Sequence, residues 1–151
     1  MNRLLKSPTV NVVFISIFTA FYALVFFAAS KSIALENGLP YEGASSFWKA
    51  WCGFLAAGDQ RYVACALIAV TLLVVALLIT RPRPYDEYHT SILATCLIVA
   101  AVLVLAAIAV FYLLILNDPS GITEKFTFFI VIHWATVVLA NLFYVLLCRW
   151  K

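Results

Sequence analysis

Four segments of this chain, residues 10–29, 62–80, 91–116 and 126–147, carry no Asp, Glu, Lys or Arg. A helix rises about 1.5 Å per residue, so about 20 mostly apolar residues cross a hydrocarbon core roughly 30 Å thick. All four segments are about that long or longer. One such run can be the buried helix of a soluble protein, but four leave too little polar sequence to cover them. The composition agrees: 66% of residues are hydrophobic and 11% are charged, where a soluble domain carries about 25% charged residues. The apolar surplus has to face lipid. The expected fold class is an all-α membrane protein, an antiparallel four-transmembrane-helix bundle with one short outer interfacial helix, in a single transmembrane domain over residues 1–151.

The first segment follows Arg3 and Lys6, and Ala28-Ala29-Ser30 resembles a small-residue cleavage site. Its apolar run is longer than the 7–15 residues of a signal-peptide core, so it reads as an uncleaved first span. Ser7-Pro8, Arg83-Pro84 and Asp118-Pro119 each put proline where a first helical turn tolerates it, because that amide has no partner in any case. Ser7 and Asp118 are suitable N-caps, and Asp59 is a third. Asp86 and Glu87 fall in the first turn of the third span, where the helix dipole favours negative charge.

Orientation follows from the basic residues that flank the spans. Residues 1–9, 81–90 and 148–151 hold Arg3, Lys6, Arg81, Arg83, Arg149 and Lys151, against Lys31, Lys49, Arg61 and Lys125 on the other side. With the acidic residues included, the two sides carry +4 and −1, which accounts for the +3 of the whole chain. Both termini are expected in the cytoplasm of a multi-pass protein of the cell membrane. The segment 30–61 is then the main outer loop. Asn37-Gly38 and Pro40 stop the first helix. Phe47, Trp48, Trp51, Phe54 and Leu55 share one face of a short helix over 47–57, with Lys49 on the other. Trp48, Trp51 and Phe54 are expected to point to the bilayer, as interfacial aromatics do.

Chemistry-bearing residues are few. A titratable side chain at membrane depth is a functional candidate because it is costly to keep there, and the spans offer His133. Tyr22 lies at a similar depth and Tyr112 nearer the outer surface; with Thr136 and Asn141 they make a candidate polar binding pocket. The simpler role for His133 is structural, a neutral ring facing the interior on the stripe Ile130, Thr136, Val137, Ala140 and Tyr144, since protonation would bury a charge with no acid beside it. His89 lies at the far end of the third span, so the two histidines cannot share a haem within one chain. Asn141 is expected to act as interhelical glue. Each span carries a small-xxx-small pair that permits close helix approach: Ser16/Ala20, Cys65/Ala69, Cys96/Ala100 and Thr136/Ala140.

The four cysteines, Cys52, Cys65, Cys96 and Cys148, form no CxxC and no metal-spaced set. They read as small packing residues, with Cys52 and Cys65 not disulfide-linked. No catalytic residues, cofactor or metal are expected. No carboxylate pair lies at membrane depth for coupling an ion, no phosphate-binding glycine loop is present, and no basic run could follow a nucleic acid. The expected partners are the lipid bilayer and either a second copy in a homo-oligomer or another membrane protein. The leading expectation is a non-enzymatic accessory subunit or self-associating scaffold. Its rival is a small transporter or channel subunit working as an oligomer, and a membrane enzyme or lipid-binding protein using the His133 region is the third reading.

Overall fold

The computed structural model describes residues 7–35, 43–80 and 86–149. These form five helices: α1 (Pro8–Leu35), α2 (Ser46–Ala56), α3 (Gln60–Ile79), α4 (Glu87–Asn117) and α5 (Ile122–Arg149). Four of them, all but α2, are long and apolar enough to cross a membrane. At about 1.5 Å per residue, α3 is about 30 Å long and α4 about 46 Å, so the helices extend beyond the uncharged segments read from sequence. Several expected features lie outside the described residues: the basic Arg3, Lys6, Arg81, Arg83 and Lys151, the prolines Pro40 and Pro84, and the Asn37-Gly38 stop.

The helix starts show which residues cap. Asp86 is the N-cap of α4, its backbone extended and its side chain accepting the His89 amide hydrogen. Asp59 precedes α3 but has helical backbone angles and makes no capping hydrogen bond, so the cap expected of it is absent. Asp118 was expected to start the last helix and instead ends α4 as its C-cap. The reason is local: its carboxylate accepts the Ser120 amide across the turn, and Gly121, at φ +64°, places the start of α5 at Ile122. Positive φ costs glycine little.

The helix predicted near residues 47–57 is present as α2 and is separate from α3. The chain breaks at Gly58, whose φ of +84° suits glycine, and a Cβ there would lie 3.2 Å from Arg61 Nη2. The Arg61 guanidinium Nε donates to Gly58 O across the same break.

Packing is uneven. α5 touches each of the other helices, whereas the extensive packing of α4 is with α5 alone. In the apolar windows of these two helices, 39% of α5 residues are buried against 6% for α4. One core cluster joins Ile15 of α1, Val74 and Leu78 of α3, Leu93 of α4, and Tyr144, Val145 and Cys148 of α5. A second joins Phe26 and Ile33 of α1, Leu55 of α2, Ala64 of α3, and Ile130, Trp134 and Val138 of α5. Between the two levels the Thr19 and Thr71 hydroxyls meet at 3.1 Å, linking α1 to α3, while Thr71 also donates to Leu67 O in its own helix. Such a contact is worth about 0.6 kcal/mol on average inside a membrane.

Candidate functional site

The residues expected to form a polar pocket are divided among different surroundings. His133 is half-buried, and its Nε2 is enclosed with no hydrogen-bond partner among the described residues. Tyr22 packs on the second core cluster, its ring stacked on Phe18 with centroids 4.3 Å apart. Tyr112 is 61% exposed and its ring meets Phe111 of its own helix. Thr136 and Asn141 donate to carbonyls one turn back, Ile132 O and Val137 O. Asn141 is fully buried, and its Oδ1 has no partner among the described residues. Among those residues no group of three or more His, Cys, Asp or Glu side chains could hold a metal ion.

Two arrangements were not legible from the spacing of residues. The first is the seat of α2. The Trp51 indole N–H donates to both Glu124 O and Thr127 Oγ1 at the start of α5. The rings of Phe47, Trp48 and Trp51 all pack edge-to-face on Phe128, with centroids 5.2, 5.8 and 5.3 Å away. Trp51 and Phe54 stack on each other and lie against the second core cluster. Trp48, Trp51 and Phe54 are thus half-buried against the other helices, while Phe47 stays 51% exposed. The physical reason is the indole hydrogen, which needs an acceptor when buried and finds two in the first turn of α5. Cys52 is buried on the same helix, and all four cysteines are free. Burial first, and then the nearby Glu124 carboxylate, push the Cys52 thiol up to about 11, which keeps it protonated.

The second is the α4–α5 turn. Lys125 is 2% exposed. Its Nζ donates to Asp118 O at 2.6 Å, Ser120 O at 2.7 Å and Asp118 Oδ2 at 3.0 Å. The ammonium closes the turn from beneath, and its hydrogen bond holds the Asp118 carboxyl below the usual range. In the sequence this lysine counts only as one of the basic residues flanking the helices on the outer side. The available signal was an Asp-Pro-Ser-Gly turn followed within a helical turn by a lysine, with no other basic residue near.

The small-residue pairs find a use that sequence alone could not assign. Beside the α4–α5 contact runs an open, apolar groove of about 360 Å³, and both Cys96/Ala100 and Thr136/Ala140 line it with Val99, Leu139 and Phe143. A smaller groove of about 260 Å³ between α1 and α3 is lined by Ser16/Ala20, Thr19 and Thr71. Cys65 and Ala69 are exposed on α3 and line neither. The larger groove is a shape that can receive a side-on apolar chain or helix, with no titratable cluster for chemistry. Comparison of the chain with protein-family models, curated proteins and solved structures gives no match.

Proposed function

We propose that this chain is a multi-pass protein of the cell membrane that acts through helix contacts, as an accessory subunit or a self-associating scaffold, and not by catalysis. The α4–α5 groove carries this reading. Between lipid and protein there is no hydrophobic gain from burying an apolar helix, so association depends on close packing, which small side chains permit. Two small-residue pairs on adjacent helices open sideways here, next to a helix that is extensively packed along one side alone. A helix of a second copy, or of another membrane protein, fits that opening. In this reading the four long helices alternate in direction, α2 lies on the outer side, and both termini are cytoplasmic, as the distribution of Lys and Arg supports. The test is extraction from membranes with the surrounding lipid, followed by native mass measurement and identification of what co-purifies. A second copy or one stoichiometric partner is the expected result; a single chain with neither overturns the reading.

A second reading, a small transporter or channel subunit working as an oligomer, has its own support. His133 Nε2, Trp134 Nε1, Asn141 Oδ1, Ser30 Oγ and Asn11 Nδ2 are all enclosed on α1 and α5 with no hydrogen-bond partner among the described residues. Buried polar atoms are costly unless paired or hydrated, so water along this seam would satisfy them. Flux of protons or small solutes into vesicles, lost on His133→Phe with assembly unchanged, would favour this reading over the first. No flux above empty vesicles would remove it.

A further inference from the structure

We infer that Tyr88, Tyr112 and Tyr62 are the headgroup-level anchors that fix this protein's depth in a bilayer, in place of the tryptophans of α2. Three observations lead there. The first is exposure: Tyr62 is 75% exposed, Tyr112 61% and Tyr88 45%, while Trp48, Trp51 and Phe54 are half-buried against other helices. A tyrosine presents an apolar ring and a polar tip, and that combination is favoured where hydrocarbon meets water.

The second is spacing. Tyr88 and Tyr112 lie 24 positions apart on the single helix α4, which at about 1.5 Å per residue separates them by about 36 Å. A hydrocarbon core is about 30 Å thick and a bilayer with its interfacial layers about 40–45 Å, so both tyrosines fall just outside the core, one at each surface. Residues 90–111 between them contain no acidic or basic side chain, and Ile98, Val102 and Leu105 stand exposed along that stretch.

The third is what lies beyond each tyrosine. Tyr88 sits two residues past the Asp86 cap, whose carboxylate accepts the His89 amide and meets His89 Nδ1 at 2.6 Å. Tyr112 comes six residues before Asp118, the start of the polar turn closed by Lys125. On α3, Tyr62 follows Arg61, which is exposed and held to Gly58 O. Tyr62 and Tyr88 directly adjoin a charged residue, Arg61 and Glu87, while beyond Tyr112 one more turn of apolar residues, with Leu113 and Leu116 exposed, precedes Asn117 and Asp118. The partner is therefore the lipid headgroup region on both surfaces. Tyr112 belongs to this outer layer and not to a pocket with His133.

The test uses the unmodified protein in phosphatidylcholine vesicles doped with one of two photoreactive lipids. One lipid carries a diazirine on its headgroup and the other carries it at the end of an acyl chain. Adducts are mapped by peptide mass spectrometry after illumination. The ratio of headgroup to chain-end labelling should exceed one at Tyr62, Tyr88 and Tyr112, and fall below one at Ile98 and Val102. Preferential chain-end labelling of Tyr112 or Tyr88 would overturn the inference by placing them in the core. Absence of both labels at Tyr112, with Ile98 labelled, would overturn it by showing protein cover. Strong headgroup labelling of Trp48 and Trp51 with none at the tyrosines would return the anchoring role to α2.

Discussion

Replacing Lys125 with methionine removes the ammonium that closes the α4–α5 turn while keeping an unbranched apolar stem one atom shorter. Its Nζ donates to two main-chain carbonyls, Asp118 O at 2.6 Å and Ser120 O at 2.7 Å. Hydrogen bonds from a charged donor are worth about 1.5–3 kcal/mol each, so these two sum to about 3–6 kcal/mol. Part is returned, because the variant no longer keeps an ion out of water. The Asp118 carboxylate adds little, since it is 42% exposed and water can replace the lysine there. The expected loss for Lys125→Met is about 2–3 kcal/mol after that offset. Asp118→Asn, which leaves both carbonyl bonds in place, should cost clearly less. Reversible unfolding in mixed micelles, driven by a denaturing detergent, reads both values, and limited proteolysis should cut the variant faster at residues 118–121. If Lys125→Met stays within about 0.5 kcal/mol of the parent, as an ordinary surface change does, or if the two variants are equally damaging, the carbonyl bonds do not hold the turn.

Trp51→Phe keeps the stacking on Phe54 but removes the N–H shared by Glu124 O and Thr127 Oγ1, and should destabilise the seat of α2 by about 1 kcal/mol in the same unfolding assay. Because the His89 amide hydrogen bond holds the Asp86 carboxyl below the usual range, its stabilising effect is full above the ordinary carboxylate pKa and is lost as pH falls through the lowered one. The protection of the His89 amide, its exchange relative to the intrinsic rate at each pH, should fall in that window when followed by NMR from neutral to acid pH, and Asp86→Ala should be unprotected throughout. The Cys52 thiol, raised to about 11, should alkylate slowly at neutral pH and accelerate only toward that value while the fold persists; a rise near the usual thiol range would contradict its burial beside Glu124.

The four long apolar helices were legible because crossing a bilayer requires a length and an absence of charge, and both are properties of the linear sequence. The existence of α2 was legible from the periodicity of Phe47, Trp48, Trp51, Phe54 and Leu55, and its break from Gly58-Asp59. The direction in which its aromatic face points was not, since periodicity fixes which residues share a face but not whether lipid or Phe128 meets it. Asp118 shows a related limit: an Asp-Pro pair can open a helix or close the preceding one, and the Ser120 amide and Lys125 decide between them. The proposed pocket paired Tyr112 with His133 by depth alone. Depth says nothing about which side of α4 faces α5, and on α4, which buries only Leu93 and Ala100, most positions face outward. The small-residue pairs were visible as a pattern, but only the packing of α4 on α5 shows that two of them face one groove.

Filling the groove tests the central claim most directly. Ala140 lines it from α5, and Ala140→Leu adds bulk to the open space between Thr136, Leu139 and Phe143. Energy transfer between donor- and acceptor-labelled copies in vesicles, or between this chain and whichever partner co-purifies, reports the association at increasing lipid dilution. The account predicts transfer above the level of random encounters for the native protein and its loss in Ala140→Leu, with the unfolding transition unchanged. Transfer equal in the two proteins, or absent from the native protein at every dilution, would contradict a helix docking between α4 and α5.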